Sequence, residues 1–355
     1  MTTTNNTDQP NSGVHTYLPS EIVNIFALTL ICVMGSIGNF LVVYVFAWKR
    51  RKNRKRFESL LAILAVVDMF ASMVVPTLFL YGTVTKYRQW HFGYIGCKVI
   101  SSLFPASVTI SQGILILISY ERYKSIKNPF ERPLRKLLIY IWLLATLLIA
   151  LLLVSPYIYV LEMVSSIRYD VHTCMPSEKE NNPLLIYSTG NVLRDFAAFT
   201  VMLVFGVMSN RLLKHSSKIN SRAGGFCKAR QRNTIKARKM LVVVVSVFSF
   251  CIIPLDLYQM IIYIFYKTNF KFSKTSYKVV LLLNSVLSIL QVANSATNVI
   301  IYSRMHKGFT KQLFSNARQT FRNISRKATD IRRNFQRKEH GTVELLLVEN
   351  ALTKL

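Results

Sequence analysis

Asp68, Arg194, Asp195 and Asp256 each stand inside a stretch that is otherwise free of charge, and Glu121-Arg122 close a further stretch, Val99 to Tyr120, that carries none. Ionisable groups in apolar surroundings are costly: an arginine at a bilayer centre costs at least ~3 kcal/mol, so such groups pair, sit at ends or face a protein interior. Their chemistry is that of binding. A carboxylate at position 68 or 256 can hold a cation, Arg194 can neutralise Asp256 across two helices, and Arg122 can snorkel to headgroups or meet a partner. Bond-making would call for His, Asp and Glu clustered near one surface. The six histidines, His15, His91, His172, His215, His306 and His340, are instead scattered through polar connections and the tail, which argues against a membrane enzyme.

The elements that must position these groups are runs of apolar sequence. Ile22 to Trp48, Val99 to Tyr120, Leu137 to Leu161 and Val279 to Ser303 contain no Asp, Glu, Lys or Arg. Ser59 to Thr85 is interrupted only by Asp68, Asn181 to Asn210 by Arg194 and Asp195, and Met240 to Tyr266 by Asp256. A helix crosses the hydrocarbon core in about 20 residues, so all seven are long enough, and their continuous apolarity excludes the two-residue alternation of barrel strands. The expected fold is an all-α membrane protein: seven spans over residues 22–304, a short amphipathic eighth helix over 305–318 on the inner membrane face, and a tail over 319–355.

Charge orients the bundle. The formal net charge of +29 would suggest nucleic acid in a soluble protein, but it is concentrated in alternate connections. Seven of the eight residues Lys49 to Arg56 are basic, Lys124, Lys127, Arg132, Arg135 and Lys136 follow the third run, and Arg211 to Lys239 holds ten basic residues and no acid. By the positive-inside rule these connections face the cytoplasm and the lipid bilayer's anionic leaflet, which places residues 1–21 outside. That segment is polar, lacks Lys and Arg, and carries one glycosylation sequon at Asn5. Of five cysteines, Cys32 and Cys251 fall inside runs and Cys227 in a basic connection, leaving Cys97 and Cys174 on the outer side, where a disulfide is expected.

The ordered motifs resemble those of a rhodopsin-like (class A) G-protein-coupled receptor, nearest its neuropeptide-receptor branch. They are Gly38-Asn39; Leu64-Ala-x-x-Asp68; Trp90-x-Phe-Gly93 with Cys97; Glu121-Arg122-Tyr123 with Pro129-Phe130; Trp142; Phe248-x-x-Cys251-x-x-Pro254; and Asn294-Ser-Ala-Thr-Asn298 leading to Tyr302. The resemblance implies a plasma-membrane receptor that catalyses nothing, binds an extracellular ligand and activates heterotrimeric G proteins. Glu121, Arg122, Tyr123, Pro129, Phe130, Asn298 and Tyr302 would serve coupling and activation. Phe104, Arg194, Asp256, Gln259 and Gln291 would line the ligand pocket. Asp68, Ser111, Asn294, Ser295 and Asn298 would hold a sodium ion, a hard cation suited to oxygen; a hydrogen-bonded network around a neutral Asp68 is the alternative. No other cofactor is implied.

The chain departs from the family at several points. Ile252 stands where relatives have tryptophan, Val299 where they have proline, and Phe205 where they have a tyrosine low in the fifth helix. Phe104 occupies the amine receptors' aspartate position, which argues against amine ligands, and Val292 the opsins' lysine position, which excludes light sensing through that lysine. The lysines Lys267, Lys271, Lys274 and Lys278 at the outer rim suit a peptide with acidic or amidated groups. Thr234 replaces an acid that some relatives place beneath the third-helix arginine, so Glu121 is expected to be the main restraint on Arg122. The tail ends Thr353-Lys-Leu355, a pattern that PDZ domains bind as an added strand, and its serines and threonines are candidates for phosphorylation and arrestin contact. The alternatives are a seven-helix transporter or channel, which would need inverted repeats or charged rings, and a constitutively active orphan or lipid receptor.

Overall fold

The computed structural model describes residues 19–49, 56–86, 88–128, 131–166, 171–177, 181–219, 225–268, 270, 272–305, 322 and 326. In chain order the elements are α1 (Pro19–Val43), continued by a π-helical turn at Tyr44–Lys49; α2 (Arg56–Val84); α3 (Gly93–Lys127); α4 (Lys136–Val160); β1 (Leu161–Ser166); β2 (Val171–Pro176); α5 (Asn181–Ile219); α6 (Gly225–Lys267); and α7 (Lys274–Met305). Seven of these helices are long and apolar enough to cross a membrane, as the charge-free runs require. In lipid every backbone polar group must be satisfied within the chain, and the helix does this segment by segment.

The helices form a bundle in which α3 packs against α2, α4, α5 and α6, while α1 lies against α2 and α7. Large apolar side chains such as Phe26, Ile95, Leu148, Leu152 and Phe250 are exposed, the surface that hydrocarbon covers. Since lipid tails are as apolar as leucine, close packing and buried polar contacts must hold the helices together. Gly113 of α3 shows the first device: a Cβ there would clash with the Thr146 side chain of α4. Beside it Trp142 Nε1 donates to the Gly113 carbonyl at 2.8 Å. Asn39 shows the second, its Nδ2 donating to the carbonyls of Gly35 and, on α7, Ser295, both at 2.9 Å. An apolar core of Leu60, Leu64, Ile114, Ile118, Phe248 and Ile252 fills the half of the bundle nearer the basic connections.

Two expectations change. The connection between the fourth and fifth spans contains an antiparallel hairpin, β1 with β2, in the register Met163↔Cys174, within an otherwise helical bundle. The hairpin is tied down: Cys97 and Cys174 form a disulfide with Cα atoms 5.6 Å apart, and His172 N–H donates to the Arg88 carbonyl at 2.8 Å. The basic stretch from Arg211 to Lys239 is also largely helical, because α5 runs to Ile219 and α6 starts at Gly225. Its lysines and arginines are good helix formers and no proline intervenes. The amphipathic eighth helix at 305–318, the N-terminal segment with Asn5, and the tail to Thr353-Lys-Leu355 lie outside the described residues.

Candidate functional site

At the disulfide end the bundle encloses a cavity of about 320 Å³ between α2, α3, α5, α6, α7 and β2. Helical spacing brings its lining together. Asp256, Gln259 and Tyr263 recur at i, i+3 and i+7 on α6, and Tyr187, Asn191 and Arg194 at i, i+4 and i+7 on α5. Phe104, Arg194, Asp256, Gln259 and Gln291 all line this cavity, so the five residues singled out in the sequence share one site. Thr173 and Cys174 of the hairpin form part of its wall. Phe79 and Phe104 meet edge to face across it, with ring centroids 6.3 Å apart.

The floor is a buried polar network. Arg194 Nη2 reaches Asp256 Oδ2 at 2.9 Å and Asp195 Oδ1 at 2.7 Å, and Arg194 Nε also donates to Asp195 Oδ1, at 3.0 Å. Arg194 Nη1 donates to Thr109 Oγ1 and Asn191 Oδ1, both at 2.9 Å. From neighbouring helices Gln112 Nε2 donates to Asp195 Oδ1 at 2.6 Å and Gln291 Nε2 to Asp256 Oδ1 at 3.3 Å. The sequence pointed to Arg194 approaching Asp256. It gave no reason to expect Asp195 in the same cluster, because adjacent residues on a helix diverge; only the length of the arginine side chain lets Arg194 reach back.

Below the floor Asp68 is buried at the centre of the bundle. It accepts from Ser111 Oγ at 3.2 Å and Asn298 Nδ2 at 2.7 Å. Asn294 is buried nearby in sequence and α7 register, and its Oδ1 has no hydrogen-bond partner. Ser295 contributes its backbone carbonyl to Asn39. The structure thus joins Asp68, Ser111 and Asn298 directly, and does not link Asn294 or the Ser295 hydroxyl to them by a hydrogen bond.

At the basic end Arg122 takes an unexpected position. Its guanidinium carbon lies 3.2 Å from the centroid of the Phe57 ring, at the start of α2. Glu121 is buried beside it and also accepts the backbone N–H of Leu134, fixing the segment that leads into α4. A carboxylate missed in the sequence, Glu58, is buried beside Phe57 and adds its charge to that of Glu121 around Arg122; it stands in the first turn of α2, directly after a run of basic residues. Tyr123 packs on Phe205 of α5 with centroids 5.7 Å apart. Pro129 and Phe130 lie outside the described residues, as do the side chains of Thr234 and Tyr302. A second cavity, of about 250 Å³, opens between α3, α5 and α6, with Arg122, Gly206, Leu241 and Val245 on its wall.

If the Phe57 ring restrains Arg122, Phe57→Ala removes a cation–π contact of about 1 kcal/mol and shifts the resting-to-open ratio about fivefold. Ligand-free second-messenger output should rise accordingly at matched surface expression. Output unchanged from wild type would show that the stacking restrains nothing.

Comparison with known proteins places this geometry. The chain is 24% identical over 300 residues to galanin receptor 2b of Danio rerio, across 82% of this chain and 74% of that protein. It is 24% identical over 325 residues to the thyrotropin-releasing hormone receptor of Gallus gallus, across 81% of this chain and 77% of that protein. It is 25% identical over 277 residues to the uracil nucleotide/cysteinyl leukotriene receptor of Homo sapiens, across 76% of this chain and 70% of that protein. The family described as 7 transmembrane receptor (rhodopsin family) matches residues 38–302, the region that contains the cavity, the Asp68 network and Arg122. The chain is therefore a multi-pass membrane protein that belongs to the rhodopsin family of seven-transmembrane receptors, and is a G-protein-coupled receptor rather than an enzyme.

Proposed function

We propose that this receptor binds an extracellular peptide in the cavity at the disulfide end and activates heterotrimeric G proteins through the basic end. The observation that carries the proposal is the reach of one helix. Along α6, Asp256 borders the outer cavity, Phe248 and Ile252 are fully buried in the core, and Leu241 and Val245 wall the crevice beside Arg122. A ligand that moves Asp256 therefore moves the wall of the crevice, and the two-state bundle responds in proportion to the ligand's differential affinity for its states. Exposed Lys267, Lys274 and Lys278 at the rim complement acidic groups on a peptide, and two of the compared proteins are named for peptide ligands. The third is named for a uracil nucleotide and a cysteinyl leukotriene, so a blank peptide screen would redirect the search to small anionic or lipid ligands.

The orientation follows from the basic connections: N-terminus outside, with Asn5 as glycosylation acceptor, and the tail inside. There arrestin and a PDZ-domain protein are expected partners. Asp68, Ser111 and Asn298, with the unpartnered Asn294 Oδ1, offer the hard oxygen donors that suit a sodium ion, and Ser295 completes the set read from the sequence. When bound, the ion would supply positive charge beside Asp68.

Arg122→Ala tests the coupling site. The wild type should accelerate guanine-nucleotide exchange on a reconstituted G protein, and the variant should fall to the receptor-free rate while reaching the cell surface normally. Exchange that persists in the variant would remove Arg122 from the coupling site.

A further inference from the structure

The floor of the outer cavity holds two carboxylates against one guanidinium. Asp195 is 2% exposed and Asp256 4%, they are close enough to repel one another, and among the described residues Arg194 is the one cation in contact with either. Such an excess of charge, withdrawn from water, is costly until a counter-charge arrives. The hydrogen bonding is unfinished as well. Both Arg194 contacts to Asp195 fall on Oδ1, while Asp195 Oδ2 and Gln112 Oε1 are buried without a partner.

We infer that the ligand carries a cationic group, a guanidinium or primary ammonium, which seats on Asp256 at the cavity floor and takes the place of Arg194 there. One added cation makes two complete ion pairs. The displaced Arg194 keeps Asp195 and can turn its fork onto the empty Oδ2, giving the two-point guanidinium–carboxylate geometry that is the strongest form of this contact. The incoming group gains Asp256, which also accepts the long bond from Gln291, 3.3 Å. Tyr187 and Tyr263 line the same cavity, and tyrosine rings attract cations. The exchange also opens the Arg194–Asp256 link between α5 and α6. This inference rests on the ligand-binding reading above and narrows it: a ligand with a basic tip reaching the floor and acidic groups at the lysine rim.

The test uses the purified full-length receptor in lipid nanodiscs and two probes of nearly equal shape, arginine amide and citrulline amide. Arginine amide is expected to raise the unfolding temperature, and citrulline amide, with its uncharged ureido side chain, to leave it unchanged. In Asp256→Asn the affinity for arginine amide should fall about 30-fold, the usual result of removing one partner of a buried charge pair. Asp195→Asn should weaken it too, because Arg194 then has Asp256 as its one anion. Equal shifts from both amides, no shift from either, or full affinity in Asp256→Asn would overturn the inference; the two-amide comparison decides even if a variant fails to fold. Nucleotide exchange on the G protein is read separately. Arg122-dependent exchange without arginine amide binding would remove the cationic ligand and keep the receptor reading, and the reverse pattern would do the opposite.

Discussion

Arg194→Ala is expected to be among the most damaging single substitutions in the bundle. It leaves Asp195 and Asp256 buried with no guanidinium between them and strips Thr109 and Asn191 of their donor. Breaking a buried ion pair by removing one partner costs about 3–5 kcal/mol, because the surviving charge is neither solvated nor paired. Against the marginal stability of a folded protein such a loss should retain most of the receptor inside the cell and lower the unfolding temperature of the fraction that can be purified. The cause is separable from lost packing. If charge imbalance is responsible, the triple variant Arg194→Ala, Asp195→Asn, Asp256→Asn should recover much of the surface expression, since uncharged amides can bond to one another. A single variant that traffics and unfolds like the wild type would show that the arginine is dispensable, and failure of the triple variant to recover would assign the loss to packing.

Cys97→Ser should have the second largest effect. The bond joins residues 77 apart in sequence, and in the chain-entropy account closing a loop of that length is worth about 4 kcal/mol. Its removal also frees β2 from the top of α3. Thr173 and Cys174 form part of the cavity wall, so ligand affinity should fall together with stability, and the backbone bond from His172 to Arg88 should lose protection against hydrogen exchange. Unchanged thermal unfolding after the substitution, or after reduction of the wild type, would contradict this account.

Seven crossings were legible because the bilayer leaves the backbone one inexpensive solution, so the length of an apolar run converts directly into a span. The shared cavity of Phe104, Arg194, Asp256, Gln259 and Gln291 was legible for a related reason: polar groups in spans turn inward. What the sequence hid depended on side-chain reach and on polar segments. Asp195 points away from Arg194 on a helical wheel, and its inclusion in the network needs the arginine's flexible stem. Glu121 and Arg122 are adjacent in sequence, and in space Phe57 and Glu58, a helix away, join Glu121 around Arg122. The hairpin Leu161–Ser166 with Val171–Pro176 lies in a water-exposed connection, where no lipid constraint selects one backbone form.

The helical continuation of α6 beyond the membrane has a mechanical result. From Gly225 to Pro254, where the chain lacks one backbone donor and the helix can pivot, the arm is ~44 Å long at 1.5 Å per residue. A tilt of ~10° about that hinge sweeps its far end through ~8 Å. Asp256, two residues on the short side of the pivot, moves only a fraction of an ångström in the same rotation. The helix is a lever with very unequal arms, and a small rotation at the pivot near the outer cavity becomes a displacement of ~8 Å at its far end.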